Sequence, residues 1–161
     1  MAYVDFEGTA SWFKGFERNR DMGQNLEEGS DTRAKIEAEQ GHYVCNVYIT
    51  PETKKQMIAD GVPNSGMVGQ LFKEDKEGNL FYKCKRPHFN TKVNQGEGKV
   101  FGPPIAVDAD GQIWDDTVDI GNGSKVKIRL DVWDRKIVTW HATKVLELEE
   151  YVPDSDGLGG F

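Results

Sequence analysis

Residues 121–133, GNGSKVKIRLDVW, carry the clearest structural pattern in this chain. They open with a turn at residues 121–124 and then alternate without a break between two kinds of side chain. The apolar set is Val126, Ile128, Leu130 and Val132, and the opposite set is Lys125, Lys127, Arg129, Asp131 and Trp133. A period of two with β-branched residues is typical of a half-buried strand. The stretch therefore predicts a sheet with one face packed on a core.

The polar face of this strand supports two interpretations. It can be a solvated sheet face with no further role. It can also be a platform for single-stranded nucleic acid, because cations neutralise phosphates and an aromatic ring stacks on a base. This stretch alone leaves both interpretations open.

Length and composition favour one domain built from short elements. The chain has 161 residues, enough for a single core. Its 18 glycines and 6 prolines favour many turns over long helices. It contains no run of 18 apolar residues, and its first residues, MAYVDFEG, lack the features of a secretory signal. We therefore expect an intracellular protein with no membrane span.

The net charge of −7 is unevenly distributed along the chain. Five acids and no base lie between Glu147 and Phe161, so the rest of the chain is close to neutral. Two segments are locally basic, residues 83–99 and residues 120–146. Basic sheet segments in a mildly acidic protein can still hold a polyanion locally.

The remaining pattern predicts further strands and one short helix. We expect strands at 8–16, 42–49, 70–73, 80–85 and 137–148, with a turn at 76–79 and a long surface loop at 17–40. Thr50 caps the helix, Pro51 occupies its first position and Gly61 ends it. This set predicts a mainly β protein, an OB-fold-like barrel of five to six strands with one short helix and long loops, or alternatively a β-sandwich.

Four stretches give the chain a family resemblance. They are GTASWFKGF near the N-terminus, YVCNVYITPETKKQMIADG, the pair IGNGSKVKIRLDVW and WHATKVLELEEY, and the acidic end that closes on Phe161. In their order they resemble a bacteriophage single-stranded DNA-binding protein of the OB-fold type.

This resemblance implies a non-catalytic protein that coats unpaired DNA during phage replication, recombination and repair, in the cytoplasm of the host cell. It implies a DNA-binding domain at 1–146 and an acidic, flexible C-terminal tail at 147–161. The tail would contact a replicative polymerase or a helicase-primase and compete with DNA for the basic groove; a homodimer is also compatible. The tail residues concerned are Glu147, Glu149, Glu150, Asp154, Asp156 and Phe161.

Our candidates for contacting DNA are cations and rings on the predicted strands and loops. The candidates for phosphate contact are Lys14, Lys83, Lys85, Arg86, Lys92, Lys127 and Arg129. The candidates for base stacking are Trp12, Tyr82, Phe89 and Trp133. Alternation along 80–85 puts Tyr82 on the opposite face from Lys83 and Lys85, so it can share their surface only through a bulge.

Other chemistries have weaker support. A zinc site would need His42, Cys45, Cys84 and His88 to converge, although residues three apart on a strand point to opposite faces. Two small buried cysteines are the simpler interpretation, and an intracellular disulfide is disfavoured. The acids Asp115, Asp116 and Asp119 could serve a metal-dependent nuclease or form a solvated turn. We expect no enzyme, no metal and no cofactor; the alternative function is a β-domain of a phage virion or tail.

Overall fold

The computed structural model describes residues 2–64 and 71–151. Its strands are β1 (Ala2–Lys14), β2 (His42–Tyr48), β3 (Phe72–Glu74), β4 (Leu80–Pro87), β5 (Phe89–Asn90), β6 (Lys99–Val100), β7 (Ile105–Val107), β8 (Lys125–Trp133) and β9 (Ile137–Glu147). Its α-helices are α1 (Asp31–Ala38) and α2 (Pro51–Ala59), and 3-10 turns lie at Glu17–Asn19 and Asn94–Gly96. None of the helices in these ranges is long and apolar enough to cross a membrane.

Seven strands form the main sheet, in the order β3-β4-β2-β1-β8-β9-β7. All neighbours pair antiparallel except β7 and β9, which are parallel. The sheet curls until β4 and β9 approach each other, where Arg86 Nη1 donates to the carbonyl of Trp140 at 3.3 Å. It does not close into a barrel.

The predicted mainly β class is therefore confirmed, and the sheet is consistent with an OB-like fold, but it is not the predicted barrel. The sheet has seven strands rather than five or six, because short segments such as β7 join its edge. The described chain has a second helix, α1, within the expected surface loop. Ser30 begins this helix by accepting the backbone N–H of Arg33, and Ile36 is its buried residue.

Strand β8 has the burial pattern that its alternation predicts. Val126, Ile128 and Leu130 are fully buried and Val132 is nearly so. Burying each such side chain stabilises the fold by roughly 1.5–3 kcal/mol relative to exposure. The opposite side chains of β8 lie on the outer face of the sheet.

The predicted helix is also observed. Thr50 accepts the backbone N–H of Thr53, Pro51 stands at the first position, and the helix ends before Gly61. Its buried residue, Met57, packs on the core.

Candidate nucleic-acid interface

Four lysines lie together on the outer face of the sheet, and we call them the lysine face. The register places Lys14, Val44 and Lys85 in one row across β1, β2 and β4. The next row contains Ser11, Asn46 and Lys83. Lys73 of β3 pairs with Phe81, which shares the outer face of β4 with both β4 lysines. The lysine face is Lys14, Lys73, Lys83 and Lys85.

No ion pair neutralises the charges of the lysine face within the described residues. None of the four lysines forms an ion pair with another residue of 2–64 or 71–151. Partial burial lowers the pKa of the Lys83 and Lys85 amines, and neighbouring lysines lower it further. Asp21 and Glu39 oppose these shifts more weakly. A cluster of cations that the fold leaves unneutralised attracts polyanions.

Two aromatic rings lie on the same outer face. Tyr48 and Phe81 are opposite each other on β2 and β4, their ring centroids are 5.5 Å apart, and both are half-buried. The Tyr48 hydroxyl donates to Asp75 Oδ2 at 3.0 Å, which fixes the ring. The candidates for base stacking did not include Tyr48 and Phe81. The alternation of β2 nevertheless places Tyr48 on the face opposite to its core residues.

Trp12 reaches the surface because β1 contains a bulge. Between Ser11 and Lys14 the register with β2 shifts, so an extra residue is accommodated in β1. Phe13 then enters the core, whereas 57% of Trp12 is exposed. Regular alternation with the buried Ala10 would have directed Trp12 inward.

The backbone at this bulge is strained. Trp12 has a φ of +53°, a conformation that is unfavourable for a bulky residue. Its N–H donates to Asn122 Oδ1 at 2.9 Å, from the turn that precedes β8. Strain of this kind clusters at functional sites, where the surrounding structure maintains it.

Three of our candidates have structural roles that keep them from the lysine face. Tyr82 is 1% exposed and packs edge-on against Phe6 and Phe72. Arg86 donates to the carbonyls of Phe101, Gly102 and Trp140.

Phe89 is half-buried and lies against Gly98, where an added Cβ would come within 2.4 Å of the ring. This contact explains why residue 98 is glycine, and it makes Phe89 the anchor of its loop. We leave Tyr82, Arg86 and Phe89 out of the interface proposed below.

The remaining candidates lie apart from the lysine face. Lys127 and Arg129 are on β8, which β1 separates from β2. Arg129 makes a bidentate ion pair with Asp5, at 2.8 and 2.9 Å, so its charge is balanced. Trp133 is 57% exposed at the end of β8, and Lys92 is exposed after β5.

The residues considered above for a zinc site have other surroundings. His42 Nε2 lies 3.1 Å from Glu39 Oε1, and His88 Nδ1 lies 2.6 Å from the Tyr43 hydroxyl. Cys45 and Cys84 are buried, and burial raises the pKa of the Cys45 thiol to about 12. Within 2–64 and 71–151, no three metal-ligating side chains cluster.

The candidate nuclease acids are likewise engaged. The Asp115 carboxylate accepts from the backbone N–H and hydroxyl of Thr117. Asp119 forms an ion pair with Arg18 at 2.6 Å, and the Asp116 carbonyl accepts from the same arginine.

The first residues of the predicted tail are connected to the sheet. Glu147 ends β9 and pairs with Lys125 at 3.2 Å. The Glu149 carbonyl accepts from the Gly121 N–H, and both Glu149 and Glu150 are exposed. Asp154, Asp156 and Phe161 lie outside the described residues. The domain boundary between 146 and 147 stays a prediction.

Comparisons with known proteins complete the description. No protein-family model matches the sequence, and the search of curated proteins finds no match. Among solved structures, the chain is similar to the crystal structure of gp2.5, a single-stranded DNA-binding protein encoded by bacteriophage T7. The TM-score is 0.60, the identity is 17%, and the match covers 96% of this chain and 97% of that one. The chain therefore has, over nearly its whole length, the fold of a phage single-stranded DNA-binding protein.

Proposed function

We propose that this protein binds single-stranded DNA without regard to sequence, and that the lysine face is the centre of its binding surface. The observation that carries the proposal is the set of four lysines without ion-pair partners in the described chain, beside the rings of Tyr48 and Phe81 and with the exposed Trp12 two residues before Lys14. Ammonium groups release counterions from phosphates, and rings stack on bases of any identity. The similarity in fold to gp2.5 supports the same function.

The biological role that we propose rests on the resemblance of the sequence and on the similarity in fold to gp2.5. The protein would coat and protect unpaired strands during phage DNA replication, recombination and repair, in the host-cell cytoplasm, without catalysing a reaction. The C-terminal acids and Phe161 would contact a replicative polymerase or a helicase-primase. Two copies of the chain would form a homodimer.

A titration with oligo(dT), followed by tryptophan fluorescence at several salt concentrations, tests the proposal. The logarithm of affinity should fall with the logarithm of salt concentration with a slope of about −0.7 per phosphate contact, or roughly −3 for four lysines. Replacing Lys83 and Lys85 with alanine should reduce the magnitude of the slope by about 1.4.

A matched variant controls for net charge. Lys125 and Lys136 are exposed and ion-paired with Glu147 and Asp134, so their replacement removes the same charge elsewhere. This variant should keep the full slope. No binding at low salt would refute the proposal and favour a structural role in the virion. Equal binding of duplex DNA would refute the preference for single strands.

A further inference from the structure

A recess of about 210 Å³ opens on the outer face where β7, β8 and β9 lie side by side. In one row across these strands, Lys127 is opposite Lys144, and Lys144 is opposite Val107. In the next row, Arg129 is opposite Ala142. Because Ala142 is small, the surface dips between its longer neighbours. In strand order the recess lies on the far side of β1 from the lysine face.

Two lysines of the recess, Lys127 and Lys144, carry charges that no ion pair neutralises in the described residues. Like charges directly opposite each other destabilise an antiparallel pair. Even so, neither Lys127 nor Lys144 forms an ion pair with any residue in the described ranges. Glu7 is the register partner of Lys127 on β1 but forms no ion pair with it. An anionic group between the two ammonium groups would relieve their repulsion.

The third cation of the recess is fixed in place. Asp5 holds the Arg129 guanidinium by two hydrogen bonds, and the guanidinium lies 5.2 Å from the centre of the Tyr3 ring. Asp5 also lines the recess, but its charge is committed to Arg129. The bidentate pair thus fixes Arg129 and Asp5 on one side of the recess, and Lys127 and Lys144 remain available to bind a ligand.

The floor of the recess is apolar. Ala142 and Val107 line it, and Ile105, which is 51% exposed, is the register neighbour of Ala142. An apolar floor beside a cationic rim suits a ligand with a flat, weakly polar ring and a phosphate. The volume is below the roughly 300–1,000 Å³ of sites for drug-sized molecules, so it suits one small unit.

We propose that this recess binds a single nucleotide unit, with its phosphate between Lys127 and Lys144 and its base against Ala142 and Val107. The unit can belong to a bound DNA strand or be a free nucleotide. The proposal does not depend on DNA binding at the lysine face, because the two surfaces share no residue.

Methyl NMR of the full chain tests the recess directly, with thymidine 5′-monophosphate as the probe. The Ala142 and Val107 methyl signals should shift saturably, whereas the exposed Ala59 of α2 should not. Thymidine and inorganic phosphate should each bind at least tenfold more weakly. Replacing Lys127 and Lys144 with alanine should weaken nucleotide binding at least tenfold, and replacing the ion-paired Lys125 and Lys136 should change it less than twofold.

An oligo(dT) titration of the same variants identifies the source of the unit. If a bound strand supplies it, the variant of Lys127 and Lys144 also loses oligo(dT) affinity; if a free nucleotide does, that affinity is unchanged. Either result supports the recess.

No shift of the Ala142 and Val107 methyls, phosphate binding as tightly as the nucleotide, or equal losses in both lysine variants would overturn the proposal. The variant of Lys83 and Lys85 separates the two proposals. It should keep nucleotide binding at the recess even if oligo(dT) binding fails.

Discussion

Replacing Asn122 with alanine should weaken single-stranded DNA binding without touching a group that contacts DNA. Asn122 Oδ1 accepts the Trp12 N–H at 2.9 Å, and Trp12 has a φ of +53°. A left-handed backbone costs an L-residue roughly 1–2 kcal/mol, and the lost hydrogen bond is worth about 0.5–1.5 kcal/mol. Without its acceptor, the bulge no longer maintains the conformation that presents the ring.

The magnitude follows from these energies. Removing the ring by Trp12→Ala should cost about 1–3 kcal/mol of stacking, which is a loss of about 5- to 150-fold in affinity. Asn122→Ala should cost no more than the hydrogen bond, which is about 2- to 10-fold. In the Trp12→Ala background, Asn122→Ala should have no further effect, because its only route to DNA is gone.

Anisotropy of labelled oligo(dT) measures the four affinities of this double-mutant cycle, and urea unfolding measures stability in parallel. Asn94→Ala is the control, because it too removes one side-chain hydrogen bond to the backbone, here to the Gly98 carbonyl, in an exposed turn with positive φ. It should lose comparable stability and no affinity. Additive losses at Trp12 and Asn122, or an unchanged affinity for Asn122→Ala, would refute the reasoning.

Four further outcomes test the structure. Tyr82→Phe should leave oligo(dT) affinity unchanged and stabilise the fold by on the order of 1 kcal/mol, because the buried Tyr82 hydroxyl has no partner in the described chain; a lower urea midpoint would contradict this. Arg86→Ala should destabilise the fold by about 2–4 kcal/mol, since it removes the donor that joins β4 to β9 at Trp140 and the two donors that hold the carbonyls of Phe101 and Gly102, and a melting temperature equal to that of the parent would argue against this role. The pKa values of Lys83 and Lys85 are lowered from 10.5, so oligo(dA) affinity should decline with rising pH before an ordinary lysine loses its proton. An affinity that stays constant up to the pH at which an ordinary lysine titrates would contradict a role of these two amines in binding. Burial outweighs Glu39 and lowers the pKa of His42, so the free energy of unfolding should fall as pH drops through and below 6.5. His42→Gln should weaken this pH dependence, and an unchanged pH dependence would show that His42 is not its source.

Local sequence patterns predicted the elements whose causes are themselves local. The alternation of β8 identified its four core residues, and all four are buried. Thr50 and Pro51 identified the start of α2. In each case the information lies within a few neighbouring residues, since strand period and helix capping act over that distance.

The surface could be predicted only in part, because distant residues determine it. Trp12 was a candidate, but the bulge that exposes it depends on Asn122, 110 positions away. Arg129 was a candidate for phosphate contact, but in the structure its guanidinium pairs with Asp5, which is 124 positions away. The first strand was also predicted too short, because Val4 and Phe6 become core residues through their pairing with β8.

The pairing of β1 with β8 has a consequence for how the chain is made. Ala2 is the register partner of Val132, so about 130 further residues must be synthesised after the start of β1 before its ladder with β8 can form. At roughly 5–20 residues per second, that interval is on the order of ten seconds. During it the apolar side of β1, including Val4 and Phe6, has no β8 to cover it. A nascent chain halted before β8 emerges should therefore be a target for chaperones and proteases, because β1 gains this neighbour only once β8 has been made.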